Sequence, residues 1–244
     1  EREYADAILD GCLESGTLGM VGDGASPKKY LIGLEAIKKR GGLGIPIFKP
    51  REYNLDIIKR FKAAEDAGAV AVGIDIDAAS FKTMTLKGQA VGPKTIAELQ
   101  ELKSHLKVPF ILKGIMNVES ALAAIEAGAD AIVVSNHGGR VMDHMPGTAE
   151  VLPGIANAVG GRVKVLVDGG IREGIDILKM LALGADAVMI GRPVCIAAFG
   201  AGQEGVSFYL QEKLNELKKA MILTGCGSIG RIDPSIIFRK KGDR

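Results

Sequence analysis

One short pattern occurs three times in this chain: the end of an amphipathic helix, a glycine, then an apolar run. Glu65-Asp66-Ala67-Gly68-Ala69-Val70-Ala71-Val72-Gly73 is echoed by Glu126-Ala127-Gly128-Ala129-Asp130-Ala131-Ile132-Val133-Val134, and again by Leu183-Gly184-Ala185-Asp186-Ala187-Val188-Met189-Ile190. A glycine just past a helix supplies the left-handed backbone that ends it. The Val, Ile and Ala that follow suit a strand buried on both faces. Such recurrence marks one helix–strand unit used several times.

Extending the pattern outward predicts seven strands, near 16–21, 44–48, 70–76, 109–113, 130–135, 163–168 and 186–190. Helical patterns fall near 3–14, 27–40, 54–67, 93–105, 117–127, 148–159 and 173–183, with a long one at 204–224. Apolar strands alternating with helices imply a parallel sheet covered by helices. Because the crossovers are right-handed, a closed barrel and a doubly wound sheet are the two options. Near-equal units with no linker favour the barrel, so the expectation is one (β/α)8 TIM-barrel domain over 1–244, with 225–244 as a C-terminal tail. Eight strands are needed and seven are recognisable. The chain opens in a helix, Glu3 to Glu14, so the missing strand is the first. The sequence then reads as an N-terminally shortened form of a longer protein, since a barrel with a gap exposes two strand edges.

Composition narrows the function classes. A formal charge of +2 is too small to point to nucleic acid or an anionic membrane. No apolar run approaches the roughly 18–20 residues of a membrane-spanning helix, and Glu1-Arg2-Glu3-Tyr4 has none of the features of a signal peptide. Cys12, Cys195 and Cys226 are odd in number and widely spaced, which gives neither a disulfide framework nor a zinc motif. Buried free thiols and a cytoplasmic location are expected.

Polar residues gather where the apolar strands stop. They are Phe48-Lys49, Asp75 with Asp77, Lys113-Gly114, Ser135 through Arg140, Asp168-Gly169-Gly170-Ile171-Arg172 and Gly191-Arg192-Pro193. Active sites of such barrels lie at these C-terminal strand ends. Buried charges there are poor for stability alone, which argues for a site. The last two loops fit a phosphate, because glycines let the backbone approach closely and Arg172 and Arg192 add charge. His137 and Arg140, three residues apart on a Gly-rich loop, pair a proton acceptor with a fixed cation. That combination suits oxidation of a small carboxylate-bearing substrate. His105 reads as a surface residue, and His144 as a loop residue near the same mouth.

Ser135-Asn136-His137-Gly138-Gly139-Arg140, followed by Asp143 and Pro146, resembles the signature of the FMN-dependent α-hydroxy-acid oxidising enzymes, the glycolate oxidase, lactate oxidase and flavocytochrome b2 type. The resemblance continues through Leu112-Lys113-Gly114, Val167 to Arg172, Ile190 to Pro193 and Leu223-Thr224-Gly225-Cys226. It is close from about residue 105 onward and looser before. It implies FMN as cofactor, a small (S)-2-hydroxy acid as substrate and a homotetramer. In the roles it implies, His137 is the base, Asp77 supports its protonated form, and Arg140 holds the substrate carboxylate. Lys113 lies near the flavin edge where negative charge builds, and Ser135 lies close to the ring. Asp168 bonds the ribityl hydroxyls, while Gly169, Gly170, Arg172, Gly191 and Arg192 form the phosphate loops.

The early strands depart from that pattern. Phe48 stands at the place of a substrate-bonding tyrosine, Pro46 replaces a flavin-contacting glutamine, and Asp75 replaces a threonine. A second carboxylate-binding arginine is missing, with Lys82 or Lys87 as substitute point charges. Two other readings stay open. One is a different phosphate-binding barrel, IMP-dehydrogenase-like or a flavin-dependent isomerase, which explains the Gly/Arg loops but not His137 with Arg140. The other is a non-catalytic barrel that only binds FMN or a phosphate compound.

Overall fold

The structure is a computed structural model that describes residues 2–238. Helix α1 (Arg2–Glu14) leads into β1 (Met20–Gly22), α2 (Pro27–Lys39), β2 (Ile45–Phe48), α3 (Asn54–Asp66) and β3 (Val72–Asp75). A short α4 (Lys82–Thr85) and α5 (Ile96–Ser104) precede β4 (Phe110–Ile115), α6 (Val118–Glu126), β5 (Ala131–Val134) and α7 (Thr148–Val159). The chain then forms β6 (Lys164–Val167), α8 (Gly174–Ala182), β7 (Ala187–Val188) and a long helical run, α9 (Arg192–Leu223).

The seven strands form one sheet in sequence order, every neighbouring pair parallel. No ladder joins β7 to β1 among the described residues. The sheet nevertheless curls. Ile45, Ile47, Ala71, Ile111, Ala131 and Val133 make one inner cluster, and Met20 of β1, Leu166 of β6 and Met189 just past β7 pack against it. At its two ends, Ile8 and Cys12 of α1 pack with Val194 and Val206 of α9, which brings the edges of the sheet round towards each other. The alternate residues, among them Phe48, Ile74, Leu112, Ile132 and Val167, face the helices in the larger outer core. This is a TIM barrel with seven of its strands in place, as the repeat predicted.

The repeat itself has a structural reason. In its second copy, Asp130 Oδ2 accepts from the Phe110 backbone N–H at 2.7 Å and from Lys103 Nζ at 2.5 Å. In its third, Asp186 accepts from Val165 N–H and Lys164 Nζ, both at 2.8 Å. Each aspartate thus satisfies a backbone donor at the start of the preceding strand and sets the register there. The first copy lacks the aspartate, and Glu65 Oε1 instead accepts from Lys107 N–H at 2.6 Å.

Boundaries moved where local hydrogen bonds overrode the apolar run. The strand expected at 16–21 begins at Met20, because Ser15 and Thr17 N–H groups close back on Gly11 and Cys12 and Gly16 turns at φ 74°. The strand expected at 186–190 is only Ala187–Val188. Its next residues bend through Gly191 straight into α9, whose first half the sequence pattern missed. The helix expected at 204–224 is the second half, separated by a break at Ala201 and Gly202. The tail folds back in part, Ile232 and Ile236 packing on Leu178 and Leu217. Residues 239–244 lie outside the described residues.

Candidate active site

Alternation along the strands decides which residues reach the barrel mouth. Continuing the inward series Ile45, Ile47 brings Lys49 to the mouth of β2. The series Ala71, Gly73 brings Asp75, Ile111 brings Lys113, and Ala131 with Val133 brings Ser135. Phe48 does not stand at the site, contrary to expectation. It is 1% exposed in the outer core, its ring centroid 6.2 Å from those of Tyr30 and Phe61. Pro46 shares its outward phase, so the inward positions on β2 belong to Ile47 and Lys49.

The buried charges form one chain of contacts. Lys49 Nζ donates to Asp75 Oδ2 at 2.5 Å. Asp75 Oδ1 lies 3.1 Å from Lys113 Nζ and 3.8 Å from His137 Nδ1. Lys113 Nζ also donates to Ser135 Oγ at 3.0 Å and approaches Asp168 Oδ2 at 3.4 Å. Burial works to raise the Asp75 carboxyl, but Lys49, Lys113 and His137 hold it below the usual carboxylate range. Burial works to lower the Lys113 ammonium, and Asp75, Asp168 and Asp77 hold it above its ordinary value. Both groups are therefore charged at neutral pH.

His137 is fixed at several points. Its Nδ1 lies 3.1 Å from Asp77 Oδ1 and 3.3 Å from Oδ2. Its backbone N–H donates to Ser135 Oγ at 3.1 Å. The residue itself sits at φ 56°, an uncommon conformation for a side chain of this size. Asp77 comes from a 3-10 turn, Ile76–Ala78, at the end of β3. Gly114 makes room for it, since a Cβ there would lie 2.6 Å from Asp77 Cβ. Asp75, Asp77 and His137 present ligand atoms within 4.8 Å of one another, as a metal cluster would. Lys49 and Lys113 already neutralise Asp75, so the arrangement is an ion-pair network.

Arg140 is exposed and makes no ion pair among the described residues; its Cζ lies 5.0 Å from the Phe81 ring centroid. The same ring centroid is 5.0 Å from the His137 ring and 5.2 Å from Lys49 Nζ. Lys82 and Lys87 are exposed and show no polar contact with these residues. His105 and His144 are exposed as well.

The loops after β6 and β7 supply the other half. Arg172 and Arg192 line a cavity of about 480 Å³ together with Pro193, Ile196, Phe208 and Tyr209. Their guanidiniums reach only backbone carbonyls, those of Ile171 at 3.0 Å and Gly138 at 3.5 Å. A Cβ at Gly170 or Gly191 would meet nothing within 4 Å, whereas one at Gly169 would press on Thr148 Oγ1 at 3.0 Å. Gly169 is thus held by packing, while Gly170 and Gly191 leave open backbone. Asp168 Oδ1 is buried without a hydrogen-bond partner. Two uncommitted arginines, open glycines and an orphaned carboxylate oxygen fit a ligand carrying phosphate and hydroxyl groups, as FMN does.

Two residues of this arrangement carried no assigned role in the sequence. Lys49 was findable by counting alternation from Ile45. Phe81 was not, because it enters from an irregular loop with no periodicity to follow.

The chain is similar in sequence and fold to known proteins. The family described as FMN-dependent dehydrogenase matches residues 77–239. A peroxisomal (S)-2-hydroxyacid oxidase of Arabidopsis thaliana is 34% identical over 221 residues, covering 77% of this chain and 60% of that protein. An L-lactate oxidase of Lactobacillus jensenii is 42% identical over 202 residues, covering 80% and 49%. A solved mandelate oxidase with a monooxide FMN adduct superposes with a TM-score of 0.78 at 34% identity, over 94% of this chain and 72% of that one. The chain spans between 36% and 61% of the length of the curated relatives it matches.

Proposed function

This chain belongs to the FMN-dependent dehydrogenase family, and we propose that it oxidises a small (S)-2-hydroxy acid to the 2-oxo acid, with His137 as base and Arg140 as carboxylate anchor. The observation that carries this reading is the pairing of an oriented imidazole with an uncommitted guanidinium. Asp77 at 3.1 Å engages Nδ1 of His137 and leaves Nε2 to receive a proton. Arg140, on the same loop as His137 and free of ion pairs among the described residues, is available to take a carboxylate, whereas Lys49 and Lys113 are engaged by Asp75 and Asp168.

FMN, when bound, supplies the two-electron acceptor. Asp168 would take its ribityl hydroxyls, and Gly170, Gly191, Arg172 and Arg192 its phosphate. Lys113, kept charged by its neighbours, would offset negative charge that builds in the cofactor on reduction. Ser135 has its hydroxyl committed to Lys113 and to the His137 backbone, so it orders both. Arg140 would fix the substrate carboxylate, which leaves the reacting carbon at a set distance from His137. The proton that His137 accepts leaves an imidazolium facing the Asp77 carboxylate, which stabilises it.

Anaerobic bleaching of the flavin by lactate, glycolate or mandelate tests the reaction, and His137→Ala tests the base. A variant that bleaches as fast as the parent overturns the assignment of His137. Protein that is colourless and takes up no added FMN overturns cofactor binding by this chain. A homotetramer and a cytoplasmic location belong to the same proposal. The first is supported by the family resemblance and by exposed Ile196, Phe199 and Phe208, and is tested by light scattering.

A further inference from the structure

We infer that Phe81 is the positioning residue of the carboxylate anchor: its ring holds the Arg140 guanidinium in the orientation that receives the substrate. The inference rests on the proposed role of Arg140. The cations at the mouth differ in their partners. Lys49 and Lys113 have carboxylates at 2.5 and 3.1 Å, and both side chains are about nine-tenths buried. Arg140 is exposed, with neither a carboxylate nor a carbonyl holding it among the described residues. A long side chain in that position samples many rotamers and gives up that freedom on binding.

The ring removes part of that cost. Guanidinium over an aromatic face within about 6 Å is attracted by the ring's quadrupole, and here the separation is 5.0 Å. Phe81 is itself set in place. It precedes α4, and its carbonyl accepts from Met84 N–H at 2.8 Å, while the Met84 side chain is buried at 1% exposure. The same ring lies 5.0 Å from the imidazole of His137. One aromatic side chain therefore borders the base and the anchor together and fixes the gap between them. Lys49 Nζ at 5.2 Å from the centroid adds a second cation beside that ring. An aliphatic residue would fill similar space but offer no such attraction.

The test is calorimetric titration of pyruvate, a product-like 2-oxo acid that the protein does not oxidise, into the FMN-loaded full chain. Phe81→Leu is expected to weaken binding about fivefold, the cost of ordering one flexible side chain. Phe81→Tyr and Phe81→Trp, which keep a π-face, restore it. In turnover, Phe81→Leu raises KM for the hydroxy acid by a similar factor and leaves kcat within about twofold. Unchanged pyruvate affinity in Phe81→Leu, or equal losses in the Leu and Tyr variants, overturns the inference. Arg140→Met runs beside them as the separate control. If it too leaves pyruvate affinity unchanged, the carboxylate role of Arg140 falls; if it weakens binding while the Phe81 variants are silent, only the positioning role falls.

Discussion

Lys49, just past β2, and Asp75 on β3 form an ion pair of 2.5 Å whose side chains are 9% and 7% exposed. Removing one member of such a pair leaves an uncompensated buried charge, which typically costs about 3–5 kcal/mol. Lys113 at 3.1 Å stays to balance Asp75 when Lys49 goes. Lys49→Met is therefore expected near the lower end, about 3 kcal/mol by urea unfolding. Asp75→Asn leaves Lys49 without its carboxylate and Lys113 with Asp168 alone, and costs more. The double variant Lys49→Met/Asp75→Asn is expected to be more stable than Asp75→Asn alone; strict additivity of the two losses would contradict the pairing.

Gly114 carries a sharper constraint. Its φ of 105° strains any side chain, and an added Cβ would sit 2.6 Å from Asp77 Cβ and 2.9 Å from its backbone N. Gly114→Ala should lose about 2 kcal/mol or more of stability, the usual cost of such a backbone conformation. It should also push Asp77 away from His137. The expected readout is a fall in the flavin bleaching rate beyond what the stability loss explains at a temperature where the variant is fully folded. A folded variant that bleaches at the parent rate would remove Asp77 from the site.

Much of this fold and site is legible in the sequence. The helix–glycine–strand repeat points to a parallel sheet with right-handed crossovers, and its near-equal units with no break favour strands that add in sequence order over a doubly wound sheet. Asp75, Lys113, Ser135 and Asp168 were legible from the same pattern, each standing one step past an apolar run. Phe48 was misplaced because β2 is buried on both faces. With no polar alternation to mark its phase, a one-residue slip exchanges the inner and outer sets. Phe81 and the first half of α9 escaped because neither follows an apolar period; a loop contact and a helix opening directly on Gly191 place them.

Acid should loosen the sheet at the two repeat aspartates. Partial burial works to raise the Asp130 carboxyl, but Lys103 and the Phe110 N–H outweigh it and hold it below the usual carboxylate range. Lys164 and the Val165 N–H do the same for Asp186. Groups whose carboxyl titrates lower when folded contribute stability above the unfolded value, near 3.9, and lose it as pH falls through the folded one. Melting temperature should accordingly drop steeply below about pH 4. Asp130→Asn and Asp186→Asn should each cost about 1 kcal/mol at pH 7 and flatten that drop. Variants with an acid limb as steep as the parent's would assign the loss to other carboxylates.

The phosphate loops give a prediction that separates cofactor binding from chemistry. Arg172 and Arg192 line the same cavity and make no ion pair among the described residues, so their charge is available to a phosphate. A charge-assisted hydrogen bond contributes about 1.5–3 kcal/mol. Arg172→Met or Arg192→Met should therefore weaken FMN affinity by about tenfold to a hundredfold, read by quenching of flavin fluorescence on binding. Affinity for riboflavin, which lacks the phosphate, should hardly change. Raising salt should narrow the gap between parent and variant for FMN and leave riboflavin unaffected, because screening acts on the exposed ionic part of the interaction. If both variants bind FMN as the parent does, the phosphate sits elsewhere, and the open glycines at 170 and 191 serve the backbone turns alone.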